Sequence, residues 1–153
     1  MKIKIIQPQG KIIVGKNGIA KLEWNPGFQQ KYQGIIDNAQ KFVDSECIKR
    51  MAPYTPFLTG MLEKSATLGT VIGSGYIKQI APYARYLYYG KLMVSSLTGS
   101  AYANKGEKKI LTNIDLNYNK VGHRFAGPFW FDNMKADNWK SILKGAQKYI
   151  DRG

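Results

Sequence analysis

Apolar and polar positions change their rhythm four times along this chain. From Lys2 the isoleucines alternate with Lys2 and Lys4, and alternation returns around Lys11 to Val14, the period of half-buried strands. Pro8-Gln9-Gly10 and Gly15-Lys16-Asn17-Gly18 supply turns, so the pattern predicts a small hairpin or meander from about residue 2 to residue 23. Such a ribbon either completes the domain's own sheet or serves as an arm reaching another subunit. Asn25-Pro26 then reads as an N-cap followed by proline at the first helical position. Phe28, Tyr32, Ile35, Ile36, Ala39, Phe42 and Val43 share one helical face, and the pattern carries on to Ile48 or Met51. Gly34 inside it costs about 1 kcal/mol against alanine and reads either as a tolerated glycine or as a mark of close packing or a slight bend. Cys47 falls near the edge of the apolar face and reads as a plain buried or semi-buried thiol.

Met51 to Lys91 is organised by two corners marked with proline and tyrosine. The X-Pro steps in Ala52-Pro53-Tyr54-Thr55-Pro56 end the incoming helix. Thr59 is the expected N-cap of a short helix through MLEKSA. Thr67–Ile72 and Tyr76–Ala81 carry strand-type residues on either side of a Gly73-Ser74-Gly75 turn. Pro82 opens a second short helix, PYARYLYYG, that Gly90 closes.

Residues 91–124 lose sustained periodicity and are expected to form a long loop, with short strand pieces at 110–112 and 114–116. They hold six Lys or Arg, among them Lys105, Lys108 and Lys109, against two acids. After Pro128-Phe129-Trp130, Asp132 or Asn133 is expected to cap the last helix, with Trp139, Ile142, Leu143, Ala146, Tyr149 and Ile150 as its apolar stripe. Lys140, Lys144, Lys148 and Arg152 repeat every fourth residue beside that stripe. They form either a solvated face or a contact line for nucleic acid or an acidic protein.

The reading is an α+β chain in a single domain over 1–153. A long helix in the N-terminal half and a C-terminal helix pack on a small, mainly antiparallel sheet, with an N-terminal β-hairpin and a long loop at about 91–124. Within it, 1–24 is the hairpin or arm, 25–90 the core of helices and sheet, 91–127 the excursion and 128–153 the last helix. Composition sharpens this in one respect. The net charge is +13, which calls for acidic partners such as nucleic acid, an anionic membrane or an acidic protein ring. No apolar run approaches the roughly 20 residues that span a bilayer. With one cysteine and no signal peptide, synthesis is expected in a reducing cytoplasm.

Candidate chemistry is sparse. Cys47 and His123 are the only residues of their kinds, and no third group stands out to orient the histidine. The chain lacks the usual ligand sets for zinc and has no phosphate-cradling loop. No enzyme, cofactor or metal is expected. The tyrosines at 83, 86, 88 and 89 instead suggest contact surface, since tyrosine offers large amphipathic area at little entropic cost.

Three segments, TPFLTGMLEKSA, IAPYARYLYYGK and AGPFWFDNMKADNWK, follow one another in an order and spacing that resemble a phage family. The family is that of minor capsid and tail-completion proteins, which act at the head–tail connector (neck) of long-tailed phages and of prophages of Gram-positive bacteria. The resemblance covers residues 52–145 and implies a structural virion protein, made in the bacterial host cytoplasm and assembled as a ring around the DNA exit path. Its implied partners are other neck, portal or tail proteins, with passing contact to DNA. The interface candidates are Tyr83, Tyr86, Tyr88, Tyr89, Lys105, Lys108, Lys109, Phe129, Trp130, Lys140, Lys144 and Lys148. The alternative is a free basic DNA- or RNA-binding protein using the lysines of the last helix and the basic loop.

Overall fold

The computed structural model of the protein describes residues 4–6, 9–16 and 18–152. The chain is mixed α+β. Strands β1 (Lys11–Gly15) and β2 (Gly18–Leu22) lead to α1 (Phe28–Met51) and a single 3-10 turn at Ala52–Tyr54. Then come α2 (Met61–Gly69), α3 (Ala84–Tyr89), β3 (Lys91–Ser95), β4 (Lys109–Asp115) and α4 (Trp130–Asp151). β1 and β2 pair antiparallel, as do β3 and β4, and the two pairs form separate two-stranded sheets.

The two long helices pack on each other. Phe42 of α1 meets Tyr149 of α4 at 5.1 Å between ring centroids, whereas Arg50 donates to Asn138 at 3.1 Å. Residue numbers rise along one helix as they fall along the other, so the pair is antiparallel. A Cβ at Gly145 would lie 2.5 Å from the Phe42 ring, so this crossing depends on a glycine. Gly34, by contrast, faces open space and is merely tolerated. The core collects at the far end of α1, where Cys47, Met51, Leu62, Ala66, Ala84, Trp130, Met134 and Ile142 form one buried cluster.

Every expected helix forms, yet three of the expected caps are displaced. Asn25 does not cap α1. Gly27 precedes the helix at φ 87° and ψ −4°, and the Phe28 amide donates to the Asn25 carbonyl at 3.1 Å. Pro26-Gly27 is thus the centre of a turn with type II character, and the glycine after the proline outweighs the capping signal. Thr59 is displaced in the same way by Gly60, at φ 76°. At α4 the position falls to Phe129 rather than Asp132 or Asn133, with φ 52° and ψ 38°. Phe129 is the one non-glycine residue at positive φ among those described. Such a conformation costs about 1–3 kcal/mol and persists where the surroundings over-determine it.

Two expectations are corrected in the middle of the chain. The hairpin over 67–81 does not form, because α2 runs on to Gly69 and residues 70–81 take no strand. The Thr70 hydroxyl substitutes for a ladder, accepting from the Lys78 amide at 3.0 Å and donating to its carbonyl at 3.3 Å. The turn at 73–75 is instead held from α1, as Asp44 accepts from the amides of Gly73 at 2.7 Å and Gly75 at 3.1 Å. Conversely, residues 91–124 are not one long loop. β3 and β4 form a hairpin with an irregularity between Lys91 and Met93, and β4 joins the two short pieces foreseen at 110–116. Its connection closes on Ser95, whose hydroxyl donates to Glu107 at 2.8 Å while its amide donates to the Ser100 carbonyl at 2.7 Å.

At the N-terminus the expected hairpin is present in its second half. Residues 4–6 take no strand, and the Ile5 amide donates to the Gln33 side chain at 2.9 Å. Lys2, Ile3, Pro8 and Asn17 of the foreseen strand and turns lie outside the described residues.

Candidate assembly interface

The three motif segments, separate in sequence, meet at one end of the helix pair. α3 ends at Gly90, φ 72°, where an added Cβ would lie 3.0 Å from Pro128. The Phe129 amide donates to the Tyr88 carbonyl at 2.9 Å, and the Gly127 amide to the Tyr54 carbonyl at 3.3 Å. Tyr88 stands edge-on to Trp130 at 4.8 Å and to Phe129 at 5.5 Å, and its hydroxyl donates to Asp132 at 2.6 Å. Burial, then that hydrogen bond, holds the Tyr88 phenol well above the ordinary range. These contacts are what keep Phe129 in its strained conformation.

The expected contact residues divide accordingly. Trp130 is 1 % exposed and is core, so its place among surface candidates is corrected. Its indole N–H donates to Gln79 at 3.2 Å. Tyr88 is half-buried as framework, while Tyr89 and Phe129 present an aromatic edge to solvent.

Tyr83 and Tyr86 face elsewhere. With Phe57, Leu58, Met61 and Met93 they line an apolar groove of about 530 Å³ between the Pro56–Gly60 segment and the base of the β3–β4 hairpin. Lys91 and Lys109 also border it. Lys91 pairs with Asp115, and Lys109 donates to the Ala101 carbonyl at 2.8 Å. Below the groove the Tyr118 hydroxyl donates to the Leu87 carbonyl and ties the strand after β4 to α3. The groove was not foreseen. Its signal was the apolar run Phe57-Leu58 beside Met61, placed outside any predicted core face.

Lys105 and Lys108 are exposed on the connection between β3 and β4. Lys140, Lys144 and Lys148 are exposed along α4, and no ion pair reaches them among the described residues. These candidate lysines thus lie on two different elements, the β3–β4 connection and α4.

Cys47 and His123 have separate environments. Cys47 lies in the core cluster, where burial first, then Asp44 and Glu46, pushes its thiol up. His123 places Nδ1 2.8 Å from the Thr55 carbonyl, Nε2 3.9 Å from Glu63, and its ring against Phe57 at 4.8 Å. Its contacts fasten the corner after α1 to the segment before α4. Thiol-reactive reagents at pH 8 should therefore label Cys47 at least ~100-fold more slowly in the folded protein than in urea. Comparable rates in the two states would show the thiol to be open to chemistry.

No group of three or more metal-ligating side chains occurs among the described residues, and no helix there is long and apolar enough to cross a membrane. The chain matches no protein-family model, no curated protein and no solved structure.

Proposed function

We propose that this chain is a structural protein of a tailed-phage virion, a ring-forming component of the head–tail connector that acts in tail completion or head–tail joining. The observation that carries the reading is the quantity of large apolar surface left bare on a folded domain. Ile12, Val14, Ile19, Leu58, Met61, Val71, Leu97 and Val121 are all more than half exposed. Ile12, Val14 and Ile19 share one face of the β1–β2 ribbon and Leu58 and Met61 line one groove, and apolar residues grouped in this way mark contact sites with other proteins. The resemblance of the three motif segments supports the same reading, since the residues that carry it pack together as one framework under the exposed aromatic edge. Ring assembly uses heterologous contacts, in which one patch fits a different patch of the next copy.

The lysine line of α4 favours a second reading, a free nucleic-acid binder, because it is exposed and carries no ion pair among the described residues. The two separate on one pair of measurements. DNA must slide past a connector during packaging and ejection, so tight phosphate contacts would hinder it. In phage-producing cells, Lys140→Glu with Lys144→Glu is expected to leave the fold intact while free capsids and free tails accumulate in lysates viewed by electron microscopy. A free binder making six phosphate contacts would instead lose about 10³-fold in duplex affinity between 50 and 200 mM salt. Submicromolar, steeply salt-dependent duplex binding together with normal particles from the double variant would overturn the connector reading.

A further inference from the structure

We propose that the β1–β2 hairpin is an arm that seats in the groove of a second copy of this chain, between the Pro56–Gly60 segment and the β3–β4 hairpin. This rests on the self-assembly part of the reading above.

The hairpin has no place in its own domain's sheet. Among the described residues it pairs only with itself and no third strand joins either edge, and every β2 residue is exposed. The register sets Ile12 opposite Lys21 and Val14 opposite Ile19. Ile12, Val14, Ile19 and Lys21 therefore share one face, and its three β-branched residues are 61 %, 74 % and 73 % exposed. A bare two-stranded ribbon with an apolar face is marginal in water and invites pairing.

The groove is the complementary feature, concave, apolar and open. Leu58 and Met61 on its lip are more than half exposed, and Tyr83 and Tyr86 complete the wall.

Distance then decides whose groove the arm fills. The arm leaves from the N-terminal end of α1, at a root packed by Trp24 on Phe28 (5.3 Å) and Phe28 on Tyr32 (4.5 Å). The groove lies past the other end of that helix, beside the core at Met51 and Leu62. A helix of 24 residues is about 36 Å long, while a five-residue strand spans only about 17 Å. With its root held by Trp24 on Phe28, the arm falls short of its own chain's groove. A second copy carries the same groove and its own arm, so each copy gives one and receives one. That is the head-to-tail contact from which closed rings are built.

The test uses the full-length protein. Val14→Cys and Met61→Cys, made in separate chains and mixed under mild oxidation, should yield a crosslinked dimer. Val14→Cys mixed with Leu143→Cys on α4 should not. Native Cys47 is buried and need not be removed. In light scattering, Ile12→Asp with Val14→Asp and Ile19→Asp should raise the concentration needed for assembly at least ~100-fold. These positions are exposed, so circular dichroism should be unchanged. Assembly undisturbed by the triple variant, or equal crosslinking to Leu143→Cys, would overturn the arm while leaving self-assembly standing. A protein that stays monomeric at every concentration and never crosslinks would overturn both.

Discussion

Trp130→Ala is expected to lower the unfolding free energy by about 3–5 kcal/mol, the range for emptying a fully buried aromatic site. Trp130 is 1 % exposed and belongs to the cluster with Met51, Leu62 and Met134. Its removal leaves a cavity, takes the donor from Gln79 Oε1 and strips the Tyr88 ring of one of its edge-to-face partners. The loss of that aromatic pair alone contributes about 0.5–1.5 kcal/mol. For a chain of this size each kcal/mol moves the melting temperature by about 2–4 °C, so the midpoint should fall by about 6–20 °C. Urea unfolding followed by circular dichroism measures this directly. A loss below about 1 kcal/mol would mean that the three motif segments are not held by this contact. Tyr88→Phe separates the ring from its hydroxyl, and losing the bond to Asp132 should cost only about 1 kcal/mol.

Asp44→Ala should have the second-largest effect. The carboxylate is 2 % exposed and accepts three hydrogen bonds, from Gly73, Gly75 and the Gln40 side chain at 2.7 Å. Alanine leaves the two glycine amides without their acceptor; Gly73 is half-buried and Gly75 exposed, so water replaces part of what is lost and the total expected loss is about 1–3 kcal/mol. Asp44→Asn keeps an acceptor oxygen in place but removes the charge that strengthens the bonds, and should cost about half as much. Hydrogen exchange at Gly73 and Gly75 gives a local readout, because both amides should exchange far faster in the alanine variant. Unchanged exchange there would show that the 70–78 segment is held by other contacts.

Apolar spacing located the two long helices, and Thr59, Pro82 and Gly90 located the two short ones, since each helix needs only its neighbours in sequence to form its hydrogen bonds. In α4 the stripe buries Ile142 and Ala146 but leaves Leu143, Tyr149 and Ile150 exposed. Gly90 was equally plain, because a left-handed terminus after a helical run favours a residue without Cβ. The burial of Cys47 followed from the apolar face of α1.

Where the chain turns depended on more than spacing. Asn25 and Thr59 carry capping chemistry, but each stands next to a glycine or proline step whose backbone freedom or rigidity sets the turn first. Phe129 takes a conformation no local rule would assign to it, held by the Tyr88 carbonyl and the Tyr88 and Tyr89 rings. The 67–81 stretch has strand-type residues yet forms no strand, because Asp44 and Thr70 satisfy backbone groups that a ladder would otherwise take. β3 escaped notice because its pairing with β4 is a long-range event, closed across a polar connection, and its three apolar residues, Leu92-Met93-Val94, carry no period of their own.

The candidate interface divides along the same line. Its residue types were readable in the tyrosines, the exposed lysines and the apolar β1–β2 ribbon. Which of them share a surface was not, since exposure is a property of the packed chain. Folding drew Trp130 into the core, set Tyr83 and Tyr86 on a groove with Phe57 and Met61, and left the ribbon at the opposite end of a helix too long for its own arm to cross.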